Sequence, residues 1–230
     1  MLEFAQLVSV ASDGAFDITV APLLRAWGFL PPFRDLDGSG RDASVAFPEG
    51  VIGYQHVRLD ATRSSVIFTT RGVELDLGGI AKGYAVDRAI TALRASGIRS
   101  ARVSTGGSTL FALGSPPGSP HGWEVILPAG RSPMVVKDAA VSSSGHSEKF
   151  VEIGGRRYSH IFDPRRGKPV STAIASVSVL APTAMESDAL TKPFFMLSES
   201  EQSRLLRSFP GCRVWVGYGQ KLEASVPAAR

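Results

Sequence analysis

Residues 73–93 read VELDLGGIAKGYAVDRAITAL, and the organisation of the chain is worked out from them. The short apolar run at 73–77 predicts a strand, and Gly78 and Gly79 break it. A helical pattern follows, with Ile80, Ala85, Val86, Ala89, Ile90 and Leu93 apolar, and Gly97 stops it. A Gly-Gly turn feeding a helix N-terminus exposes backbone N–H groups and the positive end of the helix dipole. Such a terminus is suited to an anion, and Lys82 in the first turn adds a full charge. The alternative is a strand–turn–helix connection whose glycines serve only tight packing, and the segment alone leaves both open.

Around this unit lie 230 residues, enough for one sizeable core or two small lobes around a cleft. With 43% hydrophobic and 20% charged residues, the composition is that of an ordinary globular protein. The net charge of +4 is mild and scattered; only Arg165, Arg166 and Lys168 form a tight basic group, with Arg156 and Arg157 nearby. A nucleic-acid footprint needs a larger clustered stripe, so a small anionic ligand is the better expectation. The single cysteine, Cys212, falls in a predicted strand and reads as core, and it reveals nothing about redox compartment. No apolar run is long enough for a membrane span. The first residues, MLEFAQLVSVASDG, lack the basic and apolar regions of a signal peptide.

Residues 3–13 predict the tail of a helix and residues 21–29 a short helical stretch stopped by Pro31-Pro32. Residues 33–50 read as a long surface loop. Strands are expected at 57–59, 65–69, 100–103, 109–113, 123–127 and 135–136, with Gly-rich turns among them. Residues 141–145 are small and polar. A hairpin with a Gly154-Gly155 turn is expected over 150–161. A buried strand at 173–180, helical segments at 184–197 and 199–208, and a strand at 212–217 complete the pattern. Strands dominate with helices inserted, which predicts α+β rather than a doubly wound sheet.

Four polar sites stand in apolar or Gly-rich surroundings. Asp17, between Phe16 and Ile18, must face solvent or a polar partner, as a ligand group or as a cap. Asp76 precedes the Gly-Gly turn, where it can accept hydrogen bonds from a ligand or cap the helix. His160, in YSHIFDPRRGKPV, titrates near neutrality and suits a general base; Ser159, Asp163, Arg165 and Arg166 lie close in sequence. Asp188 and Lys192 are four apart on a predicted helix. There Asp188 is either a hard oxygen ligand for Mg²⁺ or half of an ordinary ion pair; the spacing favours the pair.

Taken in order, residues 12–29, 75–89, 103–114, 122–127, 141–145, 158–170 and 176–192 resemble the ApbE family, the FAD:protein FMN transferases. The resemblance covers nearly the whole chain. It implies an α+β fold of mostly antiparallel sheets with inserted helices, in two lobes around a flavin cleft. It implies one ApbE-like domain over residues 1–230, without the strand and helix that the family carries before this point. It further implies Mg²⁺-dependent cleavage of FAD, release of AMP, and transfer of FMN to a Ser or Thr hydroxyl of a target protein. By the same resemblance, Ala15, Phe16, Asp17, Asp76 and Lys82 contact FAD, and Gly106 and Gly107 line the flavin cleft. The backbone carbonyl of Gly79 and the carboxylate of Asp188 hold the metal, and His160 is the base for the incoming hydroxyl. Two departures matter: the strand and helix lacking before this point, and the family's metal threonine, which lies four residues after the aspartate, where this chain has Lys192. Thr191, one residue early and about 100° around a helix, is the remaining hydroxyl candidate for the metal. Two other readings stay open: a non-catalytic FAD-binding protein, and a pyrophosphatase giving FMN and AMP. Members are often exported and lipid-anchored, but the sequence carries no leader or lipidation cysteine that would assign a compartment.

Overall fold

A computed structural model describes residues 1–31, 50–128, 133–145, 150–153 and 155–219. The loop expected at 33–50 lies almost wholly outside the described residues.

The N-terminal part holds α1 (Leu2–Ala11), a 3-10 turn at Ile18–Val20 and α2 (Ala21–Ala26). The hairpin β1 (Val57–Asp60) and β2 (Ser65–Phe68) follows, in the register Val57 to Phe68. Then come α3 (Ala81–Ala95), β3 (Ala101–Thr105), β4 (Thr109–Leu113), β5 (Trp123–Val125), β6 (Met134–Val136) and β7 (Ala139–Gly145). Two small hairpins follow, β8 (Phe150–Ile153) with β9 (Arg156–Ser159), and β10 (Phe162–Asp163) with β11 (Lys168–Pro169). The chain continues with β12 (Ile174–Ala181), α4 (Ala184–Leu190), a 3-10 turn at Pro193–Phe195, α5 (Glu199–Ser208) and β13 (Arg213–Tyr218).

The principal sheet is antiparallel, in the order β13-β12-β7-β4-β3. Successive strand residues face opposite ways, so each strand supplies two cores. On one face Phe111, Leu113 and Ala140 pack against Val86 and Ile90 of α3 and against Ala184. On the other, Ala112 and Val141 pack against Val125, Leu127 and Val136 around the β5–β6 hairpin. A third cluster joins α1, the 3-10 turns, α4 and α5 to Val177 and Val179 of β12. The helices and antiparallel strands match the α+β expectation. Among the described residues no helix is long and apolar enough to cross a membrane.

Two expectations need correction. Among the described residues, 73–77 pair with no strand; Asp76 donates its N–H to the Ile18 carbonyl at 2.7 Å. An apolar run records burial on one side but does not supply a ladder partner. The expected continuous helix over 184–197 ends at Leu190 and resumes as a 3-10 turn. Pro193 lacks the N–H that would bond back to Ala189, and the chain tightens around it. Helix α3 ends as expected: Gly97 has φ +79°, and Ile98 donates its N–H to the Leu93 carbonyl at 3.0 Å.

Candidate functional site

The start of α3 gathers most of the sequence-identified groups. Lys82, in its first turn, donates to Ser108 Oγ at 2.5 Å. Ser108 closes the β3–β4 turn, where Gly106 and Gly107 have φ +58° and +70°. That left-handed geometry is the reason glycine stands there. A β-carbon on Gly106 would lie 3.8 Å from Lys82 Cδ. Lys82, Gly106 and Gly107 therefore form one surface. Gly107 also lines a recess of about 370 Å³ with Arg102, Ser104 and Leu110.

Asp76 accepts the Gly78 N–H at 3.0 Å, so it braces the turn before α3 rather than the helix itself. The helix terminus is not simply open to an outside anion. The Gly83 N–H donates to Asp188 Oδ2 at 3.1 Å, so a carboxylate of the chain already takes one first-turn amide.

Asp188 is the centre of the second cluster, with its side chain only 2% exposed. Lys192 Nζ lies 2.6 Å from Asp188 Oδ1 and 2.7 Å from the Asp188 carbonyl oxygen. Thr191 Oγ1 donates to the same carbonyl at 2.8 Å and also pairs with Ser144 Oγ at 2.8 Å. The lysine stem passes over Gly79: a β-carbon there would lie 3.6 Å from Lys192 Cε and 3.2 Å from Phe16 Cε2. Lys192 thus lies against Gly79 and Asp188 both, and Thr191 shares the Asp188 carbonyl with it.

A third group surrounds Asp17. Its Oδ1 accepts from the Thr19 N–H at 2.8 Å and the Thr19 hydroxyl at 2.7 Å, and Oδ2 from the Tyr54 N–H at 2.7 Å. The carboxylate caps the 3-10 turn and anchors Tyr54, which matches the capping alternative. Burial outweighs these donors and raises its pKa. Ala15 and Phe16 are buried in the core. Asp17 still borders a cavity of about 180 Å³, with Asp13, Gly14, Tyr54 and Arg165 around it.

His160 follows β9 and is half-buried. Its strand is held by aromatic contacts: Trp27 lies 5.2 Å from Tyr158 and 5.7 Å from Phe162, ring centre to ring centre. These contacts fix the His160 segment against the end of α2. Asp163 is directed at arginine: Arg165 Nε and Nη2 donate to its two oxygens at 2.9 and 3.1 Å. This hydrogen bonding also raises the pKa of Arg165.

Sequence reasoning passed over Gly83 and Asp87. A β-carbon on Gly83 would meet the Ala184 carbonyl oxygen at 2.2 Å, so α3 and α4 cross there in backbone contact. One turn later, Asp87 accepts the N–H groups of Ala184 and Met185, both at 2.8 Å, and caps α4 from another helix. The signal was the Gly-x-x-x-Asp spacing on one helix face. Beneath α4, Ser142 Oγ pairs with Ser187 Oγ at 2.6 Å and Thr109 Oγ1 at 3.1 Å. Cys212 is part-buried, its thiol pushed up to about 11 by burial, in keeping with a core role.

Comparison with known proteins gives one consistent result. The family model described as "ApbE family" matches residues 1–216. The FAD:protein FMN transferase of Treponema pallidum is 33% identical, covering 92% of this chain and 62% of that protein. The FAD:protein FMN transferase of Salmonella typhimurium is 30% identical, covering 87% of this chain and 59% of that protein. The chain thus spans about three fifths of the length of these relatives. The crystal structure of the Pseudomonas stutzeri flavinyl transferase ApbE, apo form, superposes with a TM-score of 0.76 at 30% identity, covering 95% of this chain and 68% of that one.

Proposed function

The chain belongs to the ApbE family, and from that premise we propose that it binds FAD and transfers the FMN half to a Ser or Thr hydroxyl of a target protein, releasing AMP. The observation that carries this reading is the convergence at the start of α3 of Lys82, the Gly106–Gly107 turn and buried Asp188. The names of the relatives support it.

In this reading Lys82 neutralises phosphate charge, and the Gly106–Gly107 turn admits the ligand close to the backbone. His160 takes the proton of the acceptor hydroxyl. The hydroxyl oxygen forms a bond to the phosphorus on the FMN side; the bond from that phosphorus to the bridging anhydride oxygen breaks, and AMP departs carrying the bridging oxygen. Such a reaction depends on positioning and charge neutralisation more than on covalent help from the protein. Ala15, Phe16, Asp17 and Asp76 would shape the remainder of the flavin site.

The Mg²⁺ implied by the resemblance does not fit the residues present. Asp188 Oδ1 and the Asp188 carbonyl both accept from Lys192, Oδ2 accepts from Gly83, and Thr191 is held by Ser144 and the Asp188 carbonyl. Mg²⁺ demands oxygen ligands at about 2.0–2.1 Å in near-octahedral array. Among the described residues, no three His, Cys, Asp or Glu side chains converge to hold a metal. The Lys192–Asp188 pair is the specific observation behind a second reading, in which FAD is bound and left whole.

The test is to incubate the purified chain with FAD and a Ser/Thr-bearing flavin-acceptor domain, following AMP and acceptor mass. AMP release with an acceptor heavier by one FMN is expected. His160→Ala should abolish transfer while FAD binding persists; retained transfer would remove His160 from its role. FAD bound and unconsumed by the unaltered chain would establish the second reading.

A further inference from the structure

The ammonium of Lys192 lies 2.6 Å from the carboxylate of Asp188 and 2.7 Å from its carbonyl, with its stem against Gly79. We propose that Lys192 is a tethered cation that closes this seat to divalent ions, so that FAD binding by this chain is independent of them. The inference rests on the reading of the site as an FAD pyrophosphate seat.

The argument begins with Pro193. In an uninterrupted helix the Asp188 carbonyl would accept the backbone N–H of Lys192. The tightening before Pro193 instead leaves that N–H 3.5 Å from the Ala189 carbonyl, and the Asp188 carbonyl accepts the Thr191 N–H at 3.3 Å and the side chains of Lys192 and Thr191. The same ammonium therefore spans both the carbonyl and the carboxylate of one residue. An ion bonded to Oδ1 at Mg²⁺ distance would have to share that oxygen with the ammonium, at a separation where like charges repel strongly in a buried setting. Expelling the lysine is opposed by burial of its partner, because the Asp188 side chain is 2% exposed. The charge balance changes as well. A carboxylate with a divalent ion carries a net positive charge, whereas with an ammonium it carries none. Lys82, on the Ser108 side, is then the cation left to attract a pyrophosphate.

Two measurements test this. Mn²⁺ uptake by the unaltered chain is followed by loss of the free-ion paramagnetic resonance signal, with Asp188→Asn as reference. FAD binding is followed by quenching of flavin fluorescence, in EDTA and in excess Mg²⁺. No uptake beyond that of Asp188→Asn, with FAD affinities within about twofold of each other in the two buffers, is expected. Stoichiometric uptake that disappears in Asp188→Asn would overturn the proposal, as would FAD affinity at least about tenfold higher with Mg²⁺. Lys192→Thr should gain Mn²⁺ uptake; should that variant fail to fold, the two measurements on the unaltered chain still decide. Failure of FAD to bind in either buffer would instead overturn the FAD reading, and the Mn²⁺ titration would still judge the closed seat.

Discussion

Asp17 shows how a single carboxylate can serve architecture and still carry a titration signature. Its oxygens hold Thr19 and Tyr54, and burial raises its pKa above the ordinary value of 3.8. A raised folded-state pKa means that the native chain binds the proton more tightly than the unfolded one. Its stabilising contribution is therefore complete below pH 3.8 and is lost as pH rises through the folded pKa. Urea denaturation of the unaltered chain and of Asp17→Asn across that range should show the stability difference falling with rising pH; a flat difference would show that Asp17 does not titrate this way. The thiol of Cys212 gives a second residue-scale expectation. With its pKa near 11, about one part in a thousand is thiolate at pH 8. Alkylation of the native chain should be far slower than in denaturant, and equal rates would place the thiol outside the core.

At the scale of elements, the crossing of α3 and α4 organises the candidate site. Gly83→Ala would drive a methyl into the Ala184 carbonyl, 2.2 Å away. A loss of about 3 kcal/mol in urea denaturation is expected, with α4 and Asp188 displaced. Removing the cap by Asp87→Ala leaves the Ala184 and Met185 N–H groups unanswered and should cost about 2 kcal/mol. An unchanged midpoint in either variant would show that the crossing is not the organising contact. Much of this level was legible in the chain. The apolar period of α3 and the Gly97 stop were plain, as were the hairpins β1–β2 and β8–β9 and the strands β12 and β13. Strand β7 was not, because Ser142, Ser143 and Ser144 look solvent-facing. Their hydroxyls are instead answered by Ser187, Ser178 and Thr191, contacts that no local pattern reveals. The starts of α4 and α5 were written as Thr183-x-x-Glu186 and Ser198-x-x-Glu201 capping boxes and passed unread. The spacing of Asp188 and Lys192 announced a pair; that its carboxylate is buried depends on Gly79 and Gly83, a hundred residues away along the chain.

For the whole molecule, the layering sets a hierarchy of opening. Strands β7 and β12 lie inside the principal sheet, with Ala140, Val177 and Val179 fully buried. The β1–β2 hairpin exposes Val66, Ile67 and Phe68 by 40%, 50% and 47%. Hydrogen exchange should accordingly be slowest in 139–145 and 174–181 and much faster in 65–68, since local opening follows buried contact. The reverse order would mean that the sheet is not the stable centre. The capping of α4 by Asp87 has a consequence for how the molecule is made. With seven residues, α4 is too short to persist as a helix by itself. The acid that caps it precedes Met185 by 98 residues. A ribosome adding about 5–20 residues per second delivers that acid roughly 5–20 s before the amides it awaits. During that interval the nascent chain has Lys82 and its glycines in place but not Asp188 or Lys192. The site is completed only once residues 188–192 have been synthesised.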